Sequence, residues 1–203
     1  MDPVVIVSTG VANTASVSAA IRRCGFDAEL TDNADQVRGA DRVVLPGVGS
    51  FQAGISRLRE RGLDDAIRDR VAEQRPLLAI CLGLQLLCAY SDESPGVEGL
   101  GVIGATVRRL PPDVRVPQFG WNRVEAADAD LLTNGYAYYA NSFCLTEQPE
   151  GWKVATTTHG VRFVAAVERG SVVACQFHPE LSGPWGAGLI NRWIVREEAG
   201  ATC

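Results

Sequence analysis

The chain has 203 residues, 46% of them hydrophobic and 21% charged, with a formal net charge of −5 and a pI near 5.1. This is an ordinary balance for one soluble globular domain with a full core. No basic run exceeds a pair of adjacent arginines, which argues against nucleic-acid and anionic-membrane partners.

The start, MDPVVIVSTG, lacks a basic n-region and a long apolar stretch, so it reads as a strand and not a signal peptide. That strand covers Val4 to Ser8 and runs into Thr9 and Gly10. Asn13 can cap a helix from Thr14 to about Cys24, with Val17, Ala20, Ile21 and Cys24 as its apolar stripe. Asp27 to Leu30 and Val43 to Leu45 are short strands, and helical patterns cover Phe51 to Arg59 and Leu63 to Gln74. A fourth strand, Leu77 to Ile80, leads into Cys81. Alternating strands and helices predict an α/β fold with a mainly parallel sheet and flanking helices. Ligands of such sheets bind at the carboxyl ends of the strands.

The second half changes style. Pro95 to Gly101 reads as a loop. Strands are expected at Val102 to Leu110, Asn122 to Val124, Tyr136 to Leu145, Trp152 to Thr158, Val161 to Val167 and Val172 to Phe177. They predict an antiparallel extension of the main sheet. A closing helix is expected from Gly186 to Glu198. With no repeat and no linker, residues 1–203 read as a single domain. No apolar run approaches membrane-spanning length.

Six cysteines stand at 24, 81, 88, 144, 175 and 203. None has CxxC spacing and no His/Cys cluster suggests a metal. They read as reduced thiols in a cytoplasm. In LLAICLGLQLL, residues 77–87, Cys81 sits on a sharp strand-to-helix turn, where helix amides would favour a thiolate. The competing reading is a buried structural thiol. There are only two histidines. His159 reads as a solvated loop residue. His178, in QFHPE, precedes Pro179 and is biased to extended backbone, so that Glu180 would project to its side and orient the ring. Nucleophile, base and orienter make a triad. In LPGVGSF, residues 45–51, Gly47 and Gly49 permit close backbone approach or positive φ, and backbone N–H groups there could face an oxyanion.

PGVGSF, CLGLQLL, SPGVEGLGVI, FGWN and QFHPE stand in the order and at about the spacing of the class I (triad) glutamine amidotransferases, which the whole chain resembles. Within them it is most similar to the glutaminase subunits of imidazole glycerol phosphate synthase, of histidine biosynthesis. The resemblance implies that Cys81 forms a glutamyl thioester, that His178 carries the proton and that Glu180 orients it. It implies an oxyanion hole from Leu82 and the Val48–Gly49 peptide, which can flip in this family. L-glutamine would be held by Gln85, Glu93, Gly47, Ser142 and Phe143, with no cofactor. Ammonia would pass to a (β/α)8 barrel cyclase subunit in a heterodimer. Trp121 and Tyr138 would lie at that interface, with Tyr136 and Tyr139 nearby.

The chain also departs from the family pattern on the expected partner-facing side. Gln118 and Asn141 stand where the family usually has histidine, and Leu181 where it has a lysine that pairs with a carboxylate of the barrel. Ser8, Thr9 and Ala12 also replace commoner residues. These departures leave open a paralogue that supplies ammonia to a different barrel, in natural-product or surface-sugar synthesis. An α/β-hydrolase would place its acid between nucleophile and histidine, and a non-catalytic subunit would not need a complete triad.

Overall fold

The structure, a computed structural model, describes residues 2–8 and 13–196. Thr9, Gly10 and Ala12 of the amino-terminal loop, Glu198 of the expected closing helix and Cys203 lie outside the described residues.

In chain order the elements are β1 (Val4–Val7), α1 (Thr14–Arg23), β2 (Ala28–Thr31), α2 (Ala34–Gly39), β3 (Val43–Gly47), α3 (Phe51–Glu60), α4 (Leu63–Ala72), β4 (Leu77–Cys81) and α5 (Leu82–Leu87). There follow β5 (Cys88–Ser91), β6 (Ile103–Arg109), β7 (Gln118–Ala126), β8 (Gly135–Asn141), β9 (Phe143–Cys144), β10 (Lys153–His159), β11 (Val161–Arg169) and β12 (Val172–Cys175). A 3-10 turn at Pro179–Leu181 and α6 (Gly183–Val195) close the described chain.

Nine strands form one sheet in the order β2-β1-β3-β4-β12-β11-β10-β7-β8. From β2 to β12 every pairing is parallel, and from β12 to β8 every pairing is antiparallel. The α/β sheet and its antiparallel extension are thus as the sequence pattern predicts. The parallel strands β1, β3, β4 and β12 are apolar on both faces because helices cover both, while the edge strand β2 is largely exposed. Val5 and Val7 of β1 and Leu45 of β3 pack towards α3, α4 and α5. Val4 and Ile6 of β1 and Val44 of β3 pack towards α1 and α6.

Three expectations need correction, and the helix α2 was not foreseen. The strand foreseen at Val102 to Leu110 does not join the main sheet; β6 pairs with β5 and β9 in a separate three-stranded sheet. The strand foreseen from Tyr136 to Leu145 breaks at Ser142, so that β8 belongs to one sheet and β9 to the other. Strand β7 begins at Gln118, because seven of its residues find partners on β8 and hydrogen-bonded pairing overrides the local disfavour of Pro117 and Gly120. The short helix α2 carries too few apolar residues for a periodic signal and is set by Asn33, whose side chain accepts from Asp35 and Gln36 backbone N–H groups.

Two buried charges lock the layers. The Arg70 guanidinium donates to the carbonyls of Val37, Ala40, Asp41 and Pro76, joining α4 to the approach to β3 and β4. The Glu168 carboxylate accepts backbone N–H groups of Asp130, Leu131 and Leu132. Both ions are buried yet met by backbone dipoles, as buried charges require.

One of the tight backbone contacts lies where α5 starts. A Cβ on Gly83 would sit 2.2 Å from the Leu45 carbonyl oxygen of β3. That oxygen belongs to a sheet strand and cannot retreat. Gly83→Ala is expected to cost about 1–3 kcal/mol through overpacking, read as a lower urea midpoint at unchanged slope.

Candidate active site

Cys81 ends β4 and immediately precedes α5. Its φ is 53° and its ψ −109°. A side chain in that region is strained, and such strain persists only where surroundings enforce it. Here the enforcement is visible. Gly47 of β3 is the register partner of Cys81, and a Cβ on it would lie 2.8 Å from Leu82 Cβ and 2.9 Å from the Gly83 nitrogen. With Gly83 jammed against Leu45, β3 and α5 are packed as closely as backbones allow, and the turn between β4 and α5 has no room to relax. The expected contribution of helix amides shrinks, since α5 has only six residues and so a small macrodipole. Its first N–H groups still have no intrahelical acceptor.

His178 follows the end of β12 in extended backbone, its N–H bonded to the Tyr138 carbonyl at 2.8 Å. Its Nδ1 lies 2.8 Å from Glu180 Oε1. The pairing foreseen from strand alternation is realised differently: Pro179–Leu181 turns as a 3-10 helix and brings the carboxylate back under the ring. Both side chains are almost fully buried, at 8% and 2% exposure. Burial pushes the imidazole towards its neutral form, but the hydrogen bonds and charges of Cys81 and Glu180 prevail and raise its pKa from 6.5 to about 10. The other histidine is not a solvated loop residue. His159 ends β10, half-buried, with Nε2 2.8 Å from the Arg115 carbonyl oxygen.

A cleft of about 230 Å³ opens over Cys81. Val48, Gly49 and Leu82 line it together with Cys81, and His178, Gln85, Glu93, Ser142 and Phe143 are among its other walls. The break between β8 and β9 is what brings Ser142 and Phe143 to its wall. Gly49 has φ of 98°, which a glycine tolerates. Glu93, easily read as a loop charge, accepts the Phe51 N–H at 2.7 Å and so caps α3 while facing the cleft. Gln85, easily read as solvent-facing, is buried; its Nε2 donates to the Phe143 carbonyl at 3.1 Å and to Gln176 Oε1 at 2.9 Å.

Not every expected residue reaches the cleft. Gly47 lies behind it, against Leu82 and Gly83. Gln118 and Asn141 are register partners on β7 and β8, each 5% exposed; Gln118 is outside the cleft lining, whereas Asn141 forms part of the cleft wall. Tyr139 is core, packed edge-on to Phe163 and Phe177. Trp121 and Leu181 are exposed, and Tyr138 is half-buried edge-on to Trp121. Phe119, not singled out in the sequence, is exposed at the cleft wall. Gln176 was also missed. It is wholly buried and its Nε2 is 3.7 Å from Cys81 Sγ. The available signal was its place two residues before His178, on the same side of an extended segment.

A larger concavity of about 630 Å³, lined by Arg123, Glu125, Lys153 and Arg162 among others, contains neither Cys81 nor His178 and mixes both charge signs. Among the described residues no three His, Cys, Asp or Glu gather as a metal site, and no helix is long and apolar enough to cross a membrane.

The family model for class-I glutamine amidotransferases matches residues 5–196. The chain is 41% identical over 198 residues to the imidazole glycerol phosphate synthase subunit HisH of Symbiobacterium thermophilum, covering 95% of this chain and 93% of that one. It is 40% identical over 197 residues to the subunit of that name from Escherichia coli K12, covering 94% and 98%. Among solved structures, one described as a glutamine amidotransferase superposes with a TM-score of 0.76 at 22% identity, over 95% of this chain and 97% of the other. PurLQS from Thermotoga maritima does so with a TM-score of 0.73 at 17% identity, over 96% and 98%. These two likenesses concern the fold.

The raised histidine pKa has a checkable consequence. A folded-state pKa above the unfolded value means stability that is fully present below about pH 6.5 and lost as the pH rises towards 10. Cys81→Ala removes one raising partner, so the His178 ring should titrate at lower pH, followed by NMR against His159. An unchanged midpoint would mean that Cys81 does not act on the ring.

Proposed function

The chain belongs to the class-I glutamine amidotransferase family, and from that premise we propose that it is the glutaminase subunit of an imidazole glycerol phosphate synthase, supplying ammonia for histidine biosynthesis. The observation that carries the chemistry is the buried Cys81–His178–Glu180 constellation on a strained strand-to-helix turn. The assignment to histidine biosynthesis is supported by near full-length relatives of that name in Symbiobacterium, Moorella and Escherichia, at 36–41% identity. A paralogue serving a different synthase is not favoured.

In this reading Cys81 Sγ attacks the side-chain carbonyl carbon of L-glutamine. The proton is already held on His178, whose pKa is raised to about 10, and with Nδ1 committed to Glu180 the nitrogen that works on the substrate is Nε2. The C–N bond breaks, the imidazolium returns the proton to the departing nitrogen, and ammonia leaves a glutamyl thioester. Water, deprotonated by the same ring, then releases glutamate. The developing oxyanion would be met by the Leu82 N–H and the Val48–Gly49 peptide, both at the cleft wall beside Cys81. Glu93 suits the α-ammonium, and Gln85 has its Oε1 left to accept from it, since its Nε2 is already engaged. Ser142 and Phe143 would add backbone contacts.

Ammonia is useful only if delivered before it is protonated. We place a (β/α)8 barrel synthase subunit over the cleft mouth, in a cytoplasmic heterodimer with this chain as one domain. Phe119, Trp121, Tyr136 and Leu181, between 41% and 62% exposed, give that face an apolar character. With Leu181 in place of a cation, the contact around it should depend little on salt.

Cys81→Ala should abolish glutamine-dependent synthesis by the complex and leave ammonia-dependent synthesis intact; full glutamine turnover in this variant would place the nucleophile elsewhere. Growth of a histidine auxotroph lacking this subunit tests the pathway. Trp121→Ala should weaken partner binding by about 2 kcal/mol with little change in thermal stability, whereas equal losses in both would make Trp121 a core residue.

A further inference from the structure

The triad leaves one buried polar contact to the nucleophile unexplained. Gln176 is 0% exposed. Its Nε2 points at Cys81 Sγ at 3.7 Å and its Oε1 accepts from Gln85 Nε2 at 2.9 Å. Gln85 Nε2 is shared with the Phe143 carbonyl at 3.1 Å, and Asn141 Nδ2 donates to the same carbonyl at 3.0 Å. We infer that Gln176 is a positioning residue that holds the Cys81 sulfur by an N–H···S hydrogen bond, and that Gln85 and the 141–143 segment set its orientation.

The direction of the chain follows from donor and acceptor chemistry. An amide can present either its N–H or its carbonyl to a neighbour. The Phe143 carbonyl has only lone pairs to offer, so it must face the Nε2 end of Gln85. That same Nε2 then occupies Gln176 Oε1. Gln176 is left with its N–H end towards the sulfur and not its carbonyl. A carbonyl there would repel a sulfur gaining negative charge. An N–H stabilises that charge, and more so in a buried site. Gln176 and His178 are two residues apart in extended backbone, so both face the sulfur from one segment. His178 handles the proton, and Gln176 holds the sulfur's direction and favours its anion.

The chain also reaches the cleft wall. Ser142 and Phe143 are residues that would touch glutamine in the proposed function, on which this inference rests. Their order would therefore reach the sulfur through two amides, without passing through the triad.

The test is alkylation of Cys81 by iodoacetamide in the full chain across a pH series, read on the Cys81 peptide by mass spectrometry. Gln176→Met keeps the volume of the side chain without its N–H. It should shift the half-maximal alkylation rate upward by about one pH unit, because the anion has lost a donor. In the complex, kcat for glutamine should fall about tenfold with KM little changed, the mark of an interaction stronger in the transition state. Gln85→Leu should give part of the same pH shift. Should Gln176→Met be too unstable to assay, Gln85→Leu alone decides: a wild-type pH profile would overturn the inference. So would a Gln176→Met profile superposing on wild type. Failure of the proposed function looks different, as the wild-type complex would then show no glutamine-dependent synthesis while the alkylation profiles still differed.

Discussion

The structure turns on how closely β3 approaches the start of α5. Gly83 is pressed on the Leu45 carbonyl and Gly47 on Leu82 and the Gly83 nitrogen. Neither position has room for a methyl group. Cys81 sits between these contacts with a backbone conformation that it would not adopt by preference. The strain is held by a sheet whose central strands are buried on both faces, so the energy that holds Cys81 in place comes from core packing and not from the turn.

Around that fixed point the site is assembled from segments distant in sequence. Residues 176–180 bring two side chains to the sulfur from one extended stretch, then a 3-10 turn returns the carboxylate to the ring. The β8–β9 break at Ser142 supplies the far wall of the cleft. Glu93 binds the first backbone N–H of α3, so the same carboxylate that faces the cleft also anchors the element following the Val48–Gly49 loop. Structural hydrogen bonds and site geometry are here the same interactions.

The site could be read in large part from residue order. Cys81 followed a buried apolar run and preceded a glycine, which makes a strand–turn–helix, and with two histidines in the chain the base had few candidates. What could not be read were the features that depend on partners across space. Gln118 stands next to the exposed Phe119 in sequence, and the burial of Gln118 and Asn141 is decided by facing one another across β7 and β8. Tyr139 and Tyr138 are neighbours in the chain but lie on opposite faces of a strand, one in the core and one half-buried against Trp121. Gln176 was visible as a letter in QFHPE, but its role needs Gln85, which is 91 residues away.

By itself the sequence determined the alternation of strands and helices, the parallel half of the sheet, and the residue types of the proposed nucleophile, base and orienter. These are local matters of periodicity, turn chemistry and spacing. Only the tertiary structure decided that β6 leaves the main sheet, that Ser142 falls at a break between sheets, and that two buried amides carry order from the cleft wall to the sulfur. Hydrogen-bond partners and burial are properties of pairs of segments. A single stretch of chain holds half of each pair, and the fold supplies the other half.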